Sequence, residues 1–129
     1  MKSVFGIALS LLISIGAQAQ SKISTTSFEV DGLCGMCKER IENAAYIPGV
    51  KQVNWDKETH ILSLTYRNDK VSKDEVVASI NEAGHDVKSS PASEEQYANI
   101  HGCCRYRDGE MRARHGLSAK PMCEMEKEP

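Results

Sequence analysis

Apolar and polar positions alternate in four short stretches of this chain and recur at helical spacing in two others. After a polar lead-in over Gln20–Thr26, Phe28 and Val30 share one face of a first strand, Ser27–Val30. Cys37, Ile41 and Ala44/Ala45 then fall at i, i+4 and i+7/i+8, which predicts a helix from Met36 to Tyr46 that Pro48-Gly49 closes. Val53 and Trp55 alternate in a second strand over Val50–Asp56, and Lys57-Glu58-Thr59 turns the chain. Leu62, Leu64 and Tyr66 line one face of a third strand, Ile61–Tyr66. Ser72-x-x-Glu75 forms a capping box ahead of Val76, Val77, Ile80 and Ala83, with Gly84 placed to end that second helix. A short last strand is expected over His85–Ser89, around Val87. The order β-α-β-β-α-β over 27–90 predicts an α+β, ferredoxin-like sandwich, both helices on one face of a four-stranded antiparallel sheet. In that fold the first strand–helix loop and the loop carrying His85 lie at the same end.

The ends of the chain read differently. Lys2, the apolar run Val4–Ile15 and Ala17-Gln18-Ala19 have the layout of a secretory leader over residues 1–19, cleaved before Gln20. The apolar run is shorter than the roughly 20 residues of a spanning helix, so the mature protein is expected in the periplasm or secreted and not spanning the membrane. Removing Lys2 from 16 basic residues leaves 15 against 18 acidic ones. No basic stripe with interleaved aromatics is present, and nucleic acid is not an expected partner.

Five cysteines in an exported chain make disulfides the ordinary expectation. Here the number is odd and the spacing unusual: Cys34 and Cys37 form a C-x-x-C pair, Cys103 and Cys104 are vicinal, and Cys123 stands alone. Cys34 and Cys37 sit where a strand gives way to a helix, so helix N–H groups and the positive end of its dipole favour thiolate there. Two thiolates select soft ions, Cu(I) and Hg(II) best, with Zn(II) or Cd(II) behind because Zn(II) prefers four donors. Cys37 is expected on the buried helix face and Cys34 further out. Lys38, Glu39 and Arg40 lie beside the loop as candidate partner-orienting charges, and His60 is expected as a surface histidine.

The combination of Gly32, Cys34 and Cys37 with Pro48-Gly49-Val50 and Glu82-Ala83-Gly84-His85-Asp86 resembles the heavy-metal-associated domain. That family includes copper chaperones, metal-pumping ATPase modules and periplasmic mercury-binding proteins. The resemblance covers about Ser24–Ser90 and implies that Cys34 and Cys37 hold the metal, with His85 beside it as a candidate third ligand. The family's usual Met before the first Cys is Leu33 here.

The extension over 91–129 has few large apolar residues and cannot bury much alone. It nevertheless carries His101, Cys103, Cys104, Met111, His115, Met122, Cys123 and Met125. Of these, His101, Cys103, Cys104, Met122, Cys123 and Met125 are candidate additional ligands, either as a second site or folding back on the first. The thioethers favour Cu(I) over zinc. A disulfide of Cys103 or Cys104 with Cys123 is the alternative.

The reading is a non-enzymatic, exported metallochaperone or scavenger that carries Cu(I) by preference. It passes the ion by ligand exchange to a metal-transporting membrane protein or another acceptor, as a monomer or a metal-bridged dimer. A thiol-disulfide oxidoreductase using Cys34 and Cys37, and a disulfide-tied interaction module, are the alternatives.

Overall fold

A computed structural model describes residues 22–122. The expected leader and the candidate donors Cys123 and Met125 lie outside the described residues. The elements are β1 (Ile23–Glu29), α1 (Gly35–Ala45), β2 (Val50–Trp55), β3 (Ile61–Arg67), α2 (Lys73–Glu82), α3 (Glu94–Ala98), a 3-10 turn at Gly102–Cys104, and α4 (Gly109–Arg114). The sheet is antiparallel in the order β1-β3-β2. Val30, Leu62 and Leu64 project from it into a core shared with Ile41 and Ala45 of α1 and Val76 and Ile80 of α2. The α+β sandwich expected from the periodicity is the one observed.

Two departures have clear physical causes. β1 begins at Ile23, inside the expected lead-in, because Ile23 to Glu29 pairs with Arg67 to Ile61 along its whole length. Its Ile-Ser-Thr-Thr-Ser sequence has no apolar alternation, so the β-branched residues were the one strand signal there. The expected last strand shrinks to isolated bridges of Val87 with Val30 and with Ser90. Val87 exchanges both backbone hydrogen bonds with Ser90, at 3.1 and 2.8 Å, which turns the chain back at once. Asn81 Nδ2 pins that turn by donating to the carbonyls of His85 and Ser90, each at 2.9 Å. The segment still lies beside β1, through Asp31 N–H to Asp86 O (2.8 Å) and Lys88 N–H to Glu29 O (3.1 Å).

Local signals explain the helices. Ser72 and Glu75 complete the capping box of α2 from both sides, and Ser93 and Gln96 do the same for α3. Asp108 caps α4 by accepting from the N–H groups of Glu110 and Met111. The extension does not bury a core of its own. Ile100, Cys104 and Tyr106 join the core of the sandwich instead.

Gly84, at the end of α2, has φ +94°, and a Cβ there would stand 2.9 Å from the carbonyl oxygen of Gln96 in α3. It is both the turn residue and the point of closest approach of the extension. Gly84→Ala should therefore destabilise the protein by more than about 1 kcal/mol, measured as a lower urea midpoint at unchanged m-value.

Candidate metal centre

The loop between β1 and α1 is held from three sides. Val30 N–H donates to His60 O at 2.9 Å, the Trp55 indole N–H donates to Val30 O at 2.9 Å, and Asp31 is bridged to Asp86. A Cβ on Gly32 would lie 3.1 Å from both the Trp55 ring and Cys37 Cβ, so glycine lets the loop lie flat against the core. Leu33 is buried beneath it. Cys34 then occupies the N-cap of α1 and Cys37 its first turn.

That placement separates the two thiols as the helical spacing implied. Cys37 is fully buried and Cys34 half-buried, with 3.9 Å between their sulfurs. Burial pushes the Cys34 thiol up, but the N–H groups of Cys37 and Met36 and the thiols of Cys37 and Cys104 outweigh it. The net pKa of Cys34 is below the ordinary value. Burial dominates at Cys37 and raises it. Cys34 is the readier thiolate and Cys37 the withdrawn one.

The extension brings in a third sulfur. Cys104, fully buried, joins Cys34 and Cys37 so that all three Sγ atoms lie within 4.8 Å of one another. Three sulfurs each roughly 2.3 Å from one ion would be about 4 Å apart, so this donor set needs little movement to enclose a soft metal. Burial, and then the neighbouring Cys37 thiol, raise the Cys104 pKa strongly, so it stays a thiol until a cation draws off its proton.

Two Arg–Asp pairs fix the extension in this position. Arg112, buried in α4, donates from one NH1 to both carboxylate oxygens of Asp31 (3.0 and 2.9 Å) and to Tyr106 O (2.9 Å), while its Nε donates to Ser118 O. Arg107 donates to Asp86 from Nε (3.0 Å) and NH2 (2.7 Å) and to Ala92 O. Both aspartates are buried, and each flanks a residue of the loop end of the sandwich. Between the pairs, Tyr106 is fully buried, donates to Gly84 O at 2.6 Å and stacks on His85 at 5.4 Å between centroids.

His85 is not among the clustered donors. It is fully buried, and its Nδ1 donates to Asp31 O at 2.9 Å, which fixes the neutral tautomer with Nε2 unprotonated. Burial lowers its pKa to about 4, the Asp31 carbonyl and Asp86 opposing and Arg40 adding to the shift. His60, expected on the surface, is instead largely covered. It stacks on Trp55 and sits with Nδ1 3.5 Å from Asp31 at a φ of +60°. Burial lowers its pKa too, against Asp31. Because the folded His85 pKa lies below the unfolded one, its contribution to stability is complete above pH 6.5 and is lost as pH falls through about 4. The protein should lose about 3 kcal/mol over that window from His85, and His85→Gln should flatten the profile in urea titrations run between pH 4 and 7.

The remaining predicted donors separate by position. His101 and Cys103 stand at the surface next to the cluster, with Cys103 Sγ 4.0 Å from Cys104 Sγ. Met122 reaches the loop through its backbone, its N–H 3.2 Å from Asp31 Oδ2. Lys38 and Arg40 are engaged within the molecule and are not spare docking charges. Lys38 binds Glu42 and Trp55 O, and Arg40 donates to Ala83 O at 3.0 Å. The sequence reading missed Asp31, Arg112, Arg107 and Met36. A charged Asp31 between apolar Val30 and Leu33 was the available signal that a cation elsewhere must meet it.

No family model and no curated protein matches the chain. Among solved structures, a protein titled CopZ metallochaperone is 32% identical over 50% of this chain and 98% of its own length, with a TM-score of 0.48. Oxidized MerP from Ralstonia metallidurans CH34 is 26% identical over 51% of this chain and 97% of its own, with a TM-score of 0.46. No helix of the described residues is long and apolar enough to cross a membrane. Over half its length the chain is similar to a metallochaperone and to MerP, with Gly32, Cys34 and Cys37 on its first strand–helix loop.

Proposed function

We propose that the protein is an exported carrier of a soft metal ion, Cu(I) by preference and Hg(II) next, held by Cys34, Cys37 and Cys104. The observation that carries this is the convergence of three thiols within 4.8 Å, one half-exposed and two buried. Three thiolates suit a trigonal monovalent ion, and Zn(II) or Cd(II) would seek a fourth donor. Cys34, the half-exposed thiol, is the last of the three to close on the ion. As the ion settles, Cys37 and Cys104 give up their protons to solvent. Release reverses the order: a thiolate or thioether of the acceptor, a metal-transporting membrane protein or another carrier, replaces Cys34 before the buried pair lets go. The buried third thiol favours retention and makes slow, acceptor-driven transfer the expected mode.

The test is an anaerobic titration of reduced protein with Cu(I) against a chromophoric chelator, alongside Cys34→Ser/Cys37→Ser. Tight uptake by the wild type that is abolished in the double variant supports the reading. Equally weak uptake by both contradicts it. The lowered Cys34 and raised Cys37 pKa values also suit a thiol-disulfide oxidoreductase, and turnover of insulin disulfides by the metal-free reduced protein would favour that second reading.

A further inference from the structure

A second group of soft donors lies outside the three-thiol cluster. Cys103 Sγ is 3.4 Å from Met36 Sδ and 3.5 Å from His101 Nδ1. The side chains come from two distant parts of the chain. Met36 stands inside the C-x-x-C pair, and His101 and Cys103 flank the start of the 3-10 turn. Their exposure is the reverse of the inner set: Met36 is 44% exposed and His101 exposed, while Cys37 and Cys104 are fully buried. An exposed methionine held against a thiol by a separate segment gains little from burial, and its thioether is a Cu(I) donor that zinc does not select.

We propose that Met36, His101 and Cys103 form an outer Cu(I) station that loads the inner Cys34/Cys37/Cys104 site. This rests on the proposed carrier function and adds the route by which its ion enters. Backbone connectivity supplies the link, because Cys103 and Cys104 are neighbours with sulfurs 4.0 Å apart, one facing each group. A Cu(I) bound by the Cys103 thiolate, the Met36 thioether and the His101 imidazole is attacked by Cys104, whose proton leaves to solvent. Cys103 releases the ion and takes up a proton, Met36 and His101 detach unchanged, and Cys37 gives its proton to solvent as it and the Cys34 thiolate complete the inner set. The copper stays Cu(I) throughout, and no electron moves.

The experiment is Cu(I) titration of the reduced full chain under nitrogen, with chelator competition for stoichiometry and stopped-flow for uptake. The proteins are the wild type, Met36→Leu, Cys103→Ser, His101→Asn and Cys37→Ser. The expected result is two ions per wild-type chain, one tight and one weaker. Met36→Leu, Cys103→Ser and His101→Asn should each lose the weaker ion, keep the tight one and fill it more slowly. Cys37→Ser should lose the tight ion and keep the weaker. One ion per wild-type chain, with uptake unchanged in Met36→Leu and Cys103→Ser, overturns the outer station and leaves the carrier reading standing. Loss of both ions in Cys103→Ser means a single shared cluster and also overturns it. No tight ion in the wild type defeats both proposals.

Discussion

Arg112→Ala should destabilise the metal-free protein by about 3–5 kcal/mol, the cost of leaving a buried carboxylate without its cation. The carboxylate is Asp31, fully buried at the foot of the metal loop and held by Arg112 through both oxygens. The N–H groups of Gly32 and Met122 also reach it, but neither neutralises its charge. Against a total stability of about 5–15 kcal/mol for a domain of this size, that loss is severe. Urea unfolding followed by Trp55 fluorescence reads it directly, since Trp55 is the single tryptophan and packs against the same loop. The double change Asp31→Leu/Arg112→Met removes both charges and should recover most of the loss. A second signature follows from His60, which Asp31 pulls upward and Arg112 pushes downward. In Arg112→Ala the His60 pKa should rise, visible by NMR titration. A change below about 1 kcal/mol, within the range of exposed ion pairs, would mean that Arg112 does not anchor the extension.

Cys104→Ser should lower Cu(I) affinity by on the order of 100-fold or more, because removing a supporting group near a metal already costs 10–100-fold and Cys104 is placed as a ligand. The fold should tolerate the change, since Cys104 and serine are close in size. The two remaining thiols would leave the ion under-coordinated, so the loaded variant should pair through a shared metal. Wild-type protein should stay monomeric on loading. Analytical ultracentrifugation at one Cu(I) per chain separates these outcomes. Affinity within threefold of wild type, with both proteins monomeric, would remove Cys104 from the site.

Much of the site end of the sandwich was legible because its signals are local. The capping box at Ser72 and Glu75, the apolar steps of α1 and the strand–helix position of Cys34 and Cys37 each lie within a few residues of what they determine. Cys104 was legible only as a soft donor. Its place against Cys37 depends on Arg112 meeting Asp31 across the chain and on Arg107 meeting Asp86, and no periodicity encodes such pairs. The same holds for Tyr106, an isolated aromatic in a polar stretch until Gly84 O and the His85 ring supply its partners. His60 was misread for a different reason. Its left-handed backbone turns the imidazole back over Trp55, a conformation uncommon outside glycine and one that turn composition does not announce.

X-ray absorption at the copper edge, on protein loaded anaerobically with one Cu(I), tests the three-thiol donor set directly, wild type beside Cys104→Ser. Three sulfur neighbours in the wild type and two, at a shorter mean distance, in the variant are the result expected. Two sulfurs in both, at the same distance, would show that Cys34 and Cys37 hold the ion without Cys104.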